Sequence, residues 1–304
     1  MCIHYLAEMT QGLNYEVIIV DNGSADETPS FLQSLKGDVQ VITNSSNRGF
    51  AKASNQGALK ARGRHLLFLN NDTLPQGGWL SELMSTLEER SRIGIAGSKL
   101  LYPDGSIQHA GIAFNKKGIP YLIYQGLHPD HPAVNRMREL QAVTAACMLV
   151  RKDLFFGIGG FDETYKNGLE DVDLCLKARE RNWKIVYNPL SVLYHFEETT
   201  PGRKRHDAQN LAAFTGRWRG KIISDEDRIA KEDGLRVVYD RQGRFYWVYN
   251  LDYINRLRVE GKTHQALRIL RDTYHLFSKN PYIPQHEKAL LEKALRLCGA
   301  HAGD

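Results

Sequence analysis

Apolar runs and helical stretches alternate along the chain up to about residue 100. The runs YEVIIVDN, DVQVITN and HLLFLNND are separated by stretches such as FAKASNQGALKARG, whose composition favours a helix. Strands that alternate with helices of this length are typical of βαβ units, whose strands form a mostly parallel sheet covered on both faces. We therefore predict an α/β domain built on a mostly parallel sheet.

The pattern becomes less regular after this first region. Residues 101–145 contain the turn-rich segments YPDGSIQHAG and HPDHPAV, which predict hairpins and loops over the sheet edge. A second regular block runs from TAACMLV to VLYHFE, and the charge-rich RGKIISDEDRIAKEDG after it is typical of a linker. We predict a first domain at residues 1–222, followed at 223–304 by a hairpin and a small helical region.

Three predicted strands end in clusters of polar side chains. These clusters are Asp21 to Ser24, Asn44 to Asn47 and Asn70 to Asp72. Asn and Asp are common turn formers, so simple chain reversal is one interpretation of each cluster. The other interpretation is a binding crevice, because ligands of open α/β sheets bind outside the carboxyl ends of the strands.

Composition narrows the class of protein. The 304 residues are 42% hydrophobic, and 40 basic residues against 35 acidic ones give a net charge of +5, which is too balanced for a general nucleic-acid binder. The sequence shows neither a signal peptide nor a membrane-spanning run, so a cytoplasmic location is the default expectation. Four scattered cysteines form no CxxC motif and indicate neither a zinc site nor a disulfide framework.

Acidic side chains open one predicted helix, in NGLEDVDLCLKARE. Glu170, Asp171 and Asp173 could all serve to complement the helix dipole, but that role accounts for about one of them. The glycine-rich turn GIGGFDE lies just upstream, which favours a junction where a carboxylate projects into a cleft. We take Asp171 as a candidate general base.

A histidine ends another apolar run, VLYHFE. His195 alone is more often structural in such a position. Together with Asp72, at another strand end, it offers the mixed imidazole and carboxylate ligands that suit manganese or another divalent ion.

An ordered series of segments resembles the family 2 inverting glycosyltransferases, particularly the rhamnosyltransferase-like members. The segments are VDNGSADET, NRGFAKASNQGA, LFLNNDT, DGSIQHAG, GIGGFDETYKNGLEDVDLCLKARERNWKIVYNP, YHFE and QNLAAFTGRWRGK. The resemblance covers roughly residues 5–222 and is far more specific than one short motif. It implies a Rossmann-like, A-type glycosyltransferase fold and a nucleotide-diphosphate-sugar donor.

The resemblance also implies roles for the polar strand ends. Asp21 matches the acidic residue that binds the nucleotide base, and the LNND segment matches the place of the metal-binding Asp-x-Asp motif, with Asn70 where an aspartate often stands. The implied donor-binding residues are Asp21, Asn22, Gly23, Gly49, Asn70, Asn71 and Asp72.

The catalytic and metal roles follow from the same resemblance. Asp171, with Glu170 beside it, matches the base of a Glu-Asp motif, and His195 matches a histidine that joins Asp72 at a divalent metal, Mn²⁺ or Mg²⁺. The basic run Arg203 to Arg205 is an additional candidate for neutralising the leaving diphosphate. A solvated loop, or a patch on anionic lipid at the cytoplasmic face of a membrane, is an equally weighted interpretation of this run.

The family normally begins with an apolar strand that precedes the first helix, whereas this sequence begins inside that helix. That strand would lie between EVIIVDN and HLLFLNND. We therefore expect either that these two strands pair directly in a contracted sheet or that the natural product carries an upstream extension.

The leading hypothesis is an inverting, metal-dependent hexosyltransferase of polysaccharide or cell-wall glycan assembly, acting on a glycan or lipid-linked acceptor. The alternative is a weak or inactive sugar-nucleotide-binding relic whose C-terminal helices bind a protein partner. A metal-dependent phosphoesterase is a third class, and it would release sugar phosphate or nucleotide without needing an acceptor.

Overall fold

The structure, a computed structural model, describes residues 2–89, 92–196 and 203–299. The chain divides into two compact units, Met1–Ser224 and Asp225–Asp304. Among the described residues, none of the helices combines the length and the apolar character needed to cross a membrane.

The first unit alternates strands and helices in its first half and carries short strands in its middle. Its helices are α1 (Cys2–Met9), α2 (Thr28–Ser34), α3 (Phe50–Lys60), α4 (Trp79–Glu89), α5 (Lys152–Gly157), α6 (Glu170–Glu180) and α7 (Asp207–Trp218). Its strands are β1 (Val17–Asp21), β2 (Val39–Thr43), β3 (His65–Leu69), β4 (Thr73–Pro75), β5 (Ile93–Leu101), β6 (Ile107–His109), β7 (Ile112–Phe114), β8 (Pro120–Leu122), β9 (Arg138–Leu140), β10 (Cys147–Arg151) and β11 (Lys184–His195). Single 3₁₀ turns lie at Pro132–Val134 and Arg203–His206.

The larger sheet has the order β3-β10-β5-β11-β4, with β6 also paired to β5 and β9 to β11. Strands β3, β5 and β11 run in the same direction, while β10 lies antiparallel between β3 and β5. All residues of β5 are buried, as expected for a strand covered on both faces. On one face α4 packs its fully buried Trp79, Leu83 and Leu87 into the core shared with β5 and β10.

The first two strands form a separate parallel pair, with Val17 opposite Val39 and Asp21 opposite Thr43. The expected direct pairing of EVIIVDN with HLLFLNND is wrong: within the described residues β1 pairs with β2, and β3 pairs with β10. The β1–β2 pair is attached to the unit through α3, which packs on β1 and whose Asn55 side chain donates to the Phe161 carbonyl at 2.9 Å.

The opening segment is helical, as predicted. Helix α1 packs beside β4, and the Cys2 thiol lies 3.6 Å from the Asn70 carbonyl oxygen. The Trp79 indole N–H donates to the Thr10 hydroxyl at 3.1 Å, just after α1. These contacts tie the N-terminal segment to the carboxyl end of β3 and to α4.

The second unit contains a hairpin and helices. Its elements are α8 (Glu226–Glu232), β12 (Leu235–Tyr239), β13 (Phe245–Tyr249), α9 (Leu251–Val259), α10 (Thr263–Ser278) and α11 (Gln285–Leu297). The hairpin is antiparallel, with Leu235 opposite Tyr249. One apolar cluster, which includes Val248, Ile254, Leu270, Phe277 and Leu291, joins the hairpin to the three following helices.

Candidate active site

The carboxyl end of β3 meets the carboxyl end of β11. The Asn70 N–H donates to the Ala146 carbonyl at 3.0 Å, which places the end of β3 beside the start of β10. Thr73 in β4 lies opposite His195 at the end of β11, and the Phe196 N–H donates to the Asp72 carbonyl at 3.0 Å. These pairings bring the polar segment Asn70 to Asp72 next to His195.

Asp72 and His195 form the close side-chain pair of this edge. The Asp72 Oδ1 atom lies 3.2 Å from His195 Nε2, and the Asn70 Nδ2 atom lies 3.2 Å from the same nitrogen. His195 is 5% exposed, whereas the Asp72 side chain is 24% exposed, so the histidine is shielded from bulk water and the carboxylate remains partly open to solvent. Among the described residues, no three His, Cys, Asp or Glu side chains cluster closely enough to form a metal site by themselves.

The opposite edge of the His195 ring, at Nδ1, contacts β6. His195 Nδ1 lies 2.6 Å from Gln108 Oε1, and Gln108 Nε2 donates to the His195 carbonyl at 3.3 Å. The ring is therefore fixed from both sides, by Gln108 at Nδ1 and by the Asn70 and Asp72 side chains at Nε2.

Asp171 occupies the first turn of α6 and faces the loop before β10. Its carboxylate accepts the Ala145 N–H at 3.0 Å and the Val172 N–H at 2.8 Å. Desolvation by burial raises the pKa of the Asp171 carboxyl above its ordinary value, and these hydrogen bonds offset only part of that rise. A raised pKa makes a carboxylate a better proton acceptor.

The loop before β10 joins Asp171 to the end of β3. Ala145 binds Asp171, and the next residue, Ala146, accepts the hydrogen bond from Asn70. The loop crosses closely over β5 at Gly97, where a Cβ atom would lie 2.6 Å from the Val143 side chain. A side chain larger than hydrogen at Gly97 would push this loop outward, so the glycine lets it reach both residues.

The three acidic residues that open α6 have different surroundings. Glu170 is 6% exposed and accepts the Gly168 N–H at 2.6 Å, within the turn before the helix. Asp173 is fully buried and accepts the Trp218 indole N–H at 2.9 Å, with Arg217 at 3.2 Å and Lys177 at 3.3 Å. Asp173 is thus neutralised by cations, whereas Asp171 is held by backbone N–H groups.

The polar residues after β1 form a network with the loop after β2. Asp21 accepts the Ser24 N–H at 2.9 Å, and Asn22 Oδ1 accepts the Arg48 N–H at 2.9 Å. Gly23 has a φ of +84°, and a Cβ atom there would lie 2.8 Å from Ser46 Cα, so only glycine fits. The turn-forming interpretation thus describes the observed hydrogen bonds of these residues, and a donor-binding role stays a prediction.

Gly49 lies where this network approaches the α6 turn. It precedes α3, and the next N–H, that of Phe50, donates to Asn167 Oδ1 at 3.0 Å. Asn167 and Gly168 lead directly into Glu170. This contact connects the predicted nucleotide-binding loops to the turn that presents Asp171.

Asn71 and the basic run Arg203 to Arg205 are the remaining predicted groups. Asn71 is exposed in the turn between β3 and β4. Residues 197–202 and the side chains of Arg203 and Lys204 lie outside the described part of the chain, so the predicted leaving-group role of the basic run stays a prediction.

Sequence reasoning missed Gln108, His109 and Asn167. The first two lie in the segment DGSIQHAG, which carried part of the family resemblance but received no role from it. Asn167 has a φ of 56°, a left-handed conformation that asparagine tolerates better than most residues, and the NG pair at 167–168 is a turn signal that could have found it.

The model of a known family, described as Glycosyl transferase family 2, matches residues 2–155, about half of the chain. Two relatives are similar over a larger share. The O-antigen biosynthesis protein RfbC of Myxococcus xanthus is 32% identical over 67% of this chain and 16% of its own length. The N-acetylglucosaminyl-diphospho-decaprenol L-rhamnosyltransferase of Mycobacterium tuberculosis is 27% identical over 65% of this chain and 71% of its own length.

The fold is shared with a solved structure. GalNAc-T7, solved with UDP, GalNAc and Mn²⁺, superposes with a TM-score of 0.54 at 15% identity, over 76% of this chain and 51% of its own. At this identity the likeness concerns the fold alone. It confirms the α/β, A-type architecture that the sequence predicted.

Proposed function

The chain belongs to glycosyl transferase family 2, and on that premise we propose that it is an inverting, metal-dependent hexosyltransferase using a nucleotide-diphosphate-sugar donor. The observation that carries the proposal is that two adjacent residues, Ala145 and Ala146, hydrogen-bond the Asp171 carboxylate and the Asn70 N–H, which links Asp171 to the strand end that bears the Asp72–His195 pair. One edge then holds a proton acceptor and a pair of ligands for a divalent ion.

Asp171 is the proposed general base. As the acceptor oxygen forms its bond to the anomeric carbon, its hydroxyl proton passes to the Asp171 carboxylate. The bond from that carbon to the diphosphate oxygen breaks, and its electron pair leaves with the nucleoside diphosphate. Attack from the face opposite the leaving group inverts the anomeric centre. Positioned proton transfer of this kind contributes about 10²–10⁴-fold to rate.

Asp72 and His195 fit a divalent ion as a partial ligand set. A carboxylate oxygen and an imidazole nitrogen 3.2 Å apart have the donor types and the separation that two neighbouring ligands of one Mn²⁺ or Mg²⁺ ion require. The remaining ligands would be oxygens of the donor diphosphate. When bound, the ion supplies charge neutralisation to the leaving group.

The Asn70 side chain orients the same site. Its Nδ2 atom lies within hydrogen-bond distance of His195 Nε2, so Asn70 supports the histidine rather than adding a charged ligand. With one carboxylate where an Asp-x-Asp motif has two, we expect weak binding of the free ion and stronger binding in the presence of the donor diphosphate.

The acceptor class is inferred from the relatives. Their names associate them with O-antigen biosynthesis and with rhamnosyl transfer to an N-acetylglucosaminyl-diphospho lipid. We propose a glycan or lipid-linked glycan hydroxyl as the acceptor, within bacterial surface polysaccharide assembly.

Thermal shift with a panel of nucleotide sugars, each with and without Mn²⁺, tests the donor and metal together. A donor at 100 times its Kd should stabilise the fold by about 2.7 kcal/mol. We expect Asp72→Ala to remove the manganese-dependent part of this shift. Asp130→Ala is the matched control, because that side chain is 90% exposed. A manganese effect that survives in Asp72→Ala would contradict the metal site.

Product analysis separates the alternatives. A transferase releases nucleoside diphosphate in proportion to acceptor and yields a glycoside of inverted configuration. Release that does not depend on acceptor would favour a phosphoesterase. Donor binding without any product across a broad acceptor panel would favour the sugar-nucleotide-binding relic with a C-terminal partner surface.

A further inference from the structure

We propose that Gln108 and His109, adjacent in β6, are the positioning residues of the two halves of the site. Gln108 fixes the tautomer and ring orientation of His195. His109 fixes the loop before β10, whose Ala145 N–H binds Asp171. The proposal deepens the proposed function and rests on it for what His195 and Asp171 do.

The Gln108 amide has one orientation that satisfies both of its contacts. Its Nε2 donates to the His195 carbonyl at 3.3 Å, because a carbonyl can only accept, so the atom 2.6 Å from His195 Nδ1 is the amide oxygen. An amide oxygen only accepts, so His195 Nδ1 carries the proton. The Nε2 lone pair of a neutral His195 then points at Asn70 and Asp72.

This tautomer suits a metal ligand. Histidines that bind metals commonly donate their other ring N–H to a carboxylate or carbonyl oxygen, which fixes the ring and raises its basicity. A neutral Nε2 lone pair 3.2 Å from a carboxylate oxygen is otherwise unfavourable, since both atoms are electron-rich. The arrangement becomes favourable when a cation or a proton lies between them.

A bulge in β6 orients the Gln108 side chain toward His195. His109 lies opposite Leu100 and Ile107 opposite Leu101, so Gln108 is the extra residue between two paired positions. An inserted residue of this kind re-aims a side chain and is common next to active sites. The bulge places both Gln108 and His109 in buried surroundings, at 2% and 0% exposure.

His109 holds the loop before β10. Its Nδ1 lies 2.9 Å from the Ser98 carbonyl, to which it must donate, and its Nε2 accepts the Thr144 N–H at 3.2 Å. Burial lowers the pKa of His109 to about 4, so the ring stays neutral and keeps the lone pair that this hydrogen bond needs. The next N–H along the chain, that of Ala145, is the one that binds Asp171.

The Gln108 half is tested by ¹⁵N NMR of His195 in the metal-free protein, with no donor present and at a pH at which the ring is neutral. We expect the Nδ1–H tautomer in the unchanged chain and in Gln108→Glu, whose carboxylate still accepts from Nδ1. Gln108→Met should shift His195 toward the Nε2–H tautomer. Gln141→Met is the matched control, because it removes a buried amide that bonds the Ile223 carbonyl at 2.7 Å instead.

An Nε2–H tautomer in the unchanged chain, or the same spectrum in Gln108→Met, would overturn this half. The companion measurement is manganese-dependent thermal stabilisation in the presence of the donor. Gln108→Met should weaken the apparent manganese affinity about 10–100-fold, the usual effect of removing such a partner. The tautomer result stands even where no donor supports transfer, so failure of the proposed function is distinguishable from failure of this inference.

The His109 half is tested by kinetics on His109→Phe and His109→Gln. The phenyl ring fills the site but neither donates nor accepts, so kcat should fall at least tenfold while the donor KM stays within a factor of about three. His109→Gln should restore part of kcat, because an amide can donate to Ser98 and accept from Thr144. Where the phenylalanine variant does not fold, His109→Asn replaces it, with the same loss expected because its shorter amide does not reach both the Ser98 carbonyl and the Thr144 N–H.

The pH profile separates positioning from general damage. Weaker alignment of the Ala145 N–H removes a contact that lowers the pKa of Asp171, so the acid limb of the kcat profile should move to higher pH in His109→Phe. Equal losses of kcat in His109→Phe and His109→Gln with an unmoved acid limb would assign His109 to folding alone and overturn this half.

Discussion

Buried carboxylates are stabilised differently in the two units of the chain. In the C-terminal unit, Arg236 binds Glu287 through two hydrogen bonds, and Arg244 donates to Asp240 at 2.8 Å. In the first unit, Asp171 is held by the N–H groups of the loop before β10 and of its own helix, and the described residues form no ion pair with it.

The pKa values of these groups follow their partners. Burial would raise the pKa of Asp240, but hydrogen bonds from Arg244 and Asn280 bring it to about 2. The Arg236 hydrogen bond lowers the pKa of Glu287. Burial instead raises the pKa of Asp171. The C-terminal unit therefore uses its carboxylates for stability, whereas the surroundings of Asp171 disfavour its charged form, a perturbation that is common among functional groups.

The same contrast appears within one helix. Asp171 and Asp173 are two residues apart in α6, yet Asp173 is surrounded by Arg217, Lys177 and the Trp218 N–H. Proximity in sequence thus says little about role. What separates them is whether the neighbouring structure supplies a cation or a polar backbone.

The largest expected effect is on the rate of Asp171→Asn. We expect kcat to fall about 10²–10⁴-fold, because the amide occupies the same volume but cannot take the acceptor proton. Donor affinity, measured by titration calorimetry, should change less than threefold. Near-normal turnover would remove Asp171 from the mechanism.

Asp173→Asn is the matched change in the same helix. It should lower the melting temperature, because it leaves Arg217 and Lys177 without their buried partner. Turnover per folded molecule should stay close to that of the unchanged chain. A rate loss as large as that of Asp171→Asn would erase the distinction between the two residues.

The second effect, smaller in free energy, concerns the C-terminal unit. Arg236→Met leaves Glu287, which is 7% exposed, without its cation. Removing one partner of a fully buried pair costs about 3–5 kcal/mol, and since Arg236 is partly exposed we expect about 2 kcal/mol from the free energy of unfolding. Denaturant unfolding measures it. The double change Arg236→Met with Glu287→Gln should recover most of the loss, and no recovery would show that packing of the arginine stem dominates.

The positions of several candidate site residues in the fold were predictable because their sequence signals are local. Asn70 to Asp72 and His195 stand at the ends of apolar runs, and Asp171 follows a glycine-rich turn at a helix start. These patterns place a side chain at a sheet edge without knowledge of what lies opposite. The first helix, which the sequence resemblance placed at the chain start, is confirmed as α1.

The rest depends on contacts that are distant in sequence. Gln108 contacts His195 across 87 residues of sequence, and His109 contacts Thr144 across 35. Neither contact could therefore be predicted from the residues around the segment DGSIQHAG. The insertion of β10 between β3 and β5 was missed for a related reason. The apolar run CMLV predicts a buried strand but carries no information on its direction or neighbours.

The smallest expected effect concerns the acid stability of the Asp162–Arg217 pair in the first unit. In this pair an arginine stabilises the carboxylate, as in the carboxylates of the C-terminal unit. Burial would raise the pKa of Asp162, but hydrogen bonds from Thr164 and Arg217 lower it to about 2. Because the folded pKa is below that of the unfolded chain, near 3.9, the stabilisation is complete above about pH 5 and is lost as the pH falls through 2. Arg217 is 43% exposed, so solvent screening reduces the contribution to about 1 kcal/mol. In Arg217→Met the unfolding free energy should fall by at least that amount at pH 6, because Asp173 also loses its contact with Arg217, and the difference from the unchanged chain should shrink toward pH 2. Urea unfolding from pH 6 to pH 2 measures this, with Lys221→Met, which removes an exposed pair with Glu180, as the control that should show a smaller difference at pH 6. A deficit in Arg217→Met that stays constant with pH would mean that the arginine stabilises the fold by packing against α6 rather than through its charge. Lys177 would then be the cation that distinguishes the surroundings of Asp173 from those of Asp171.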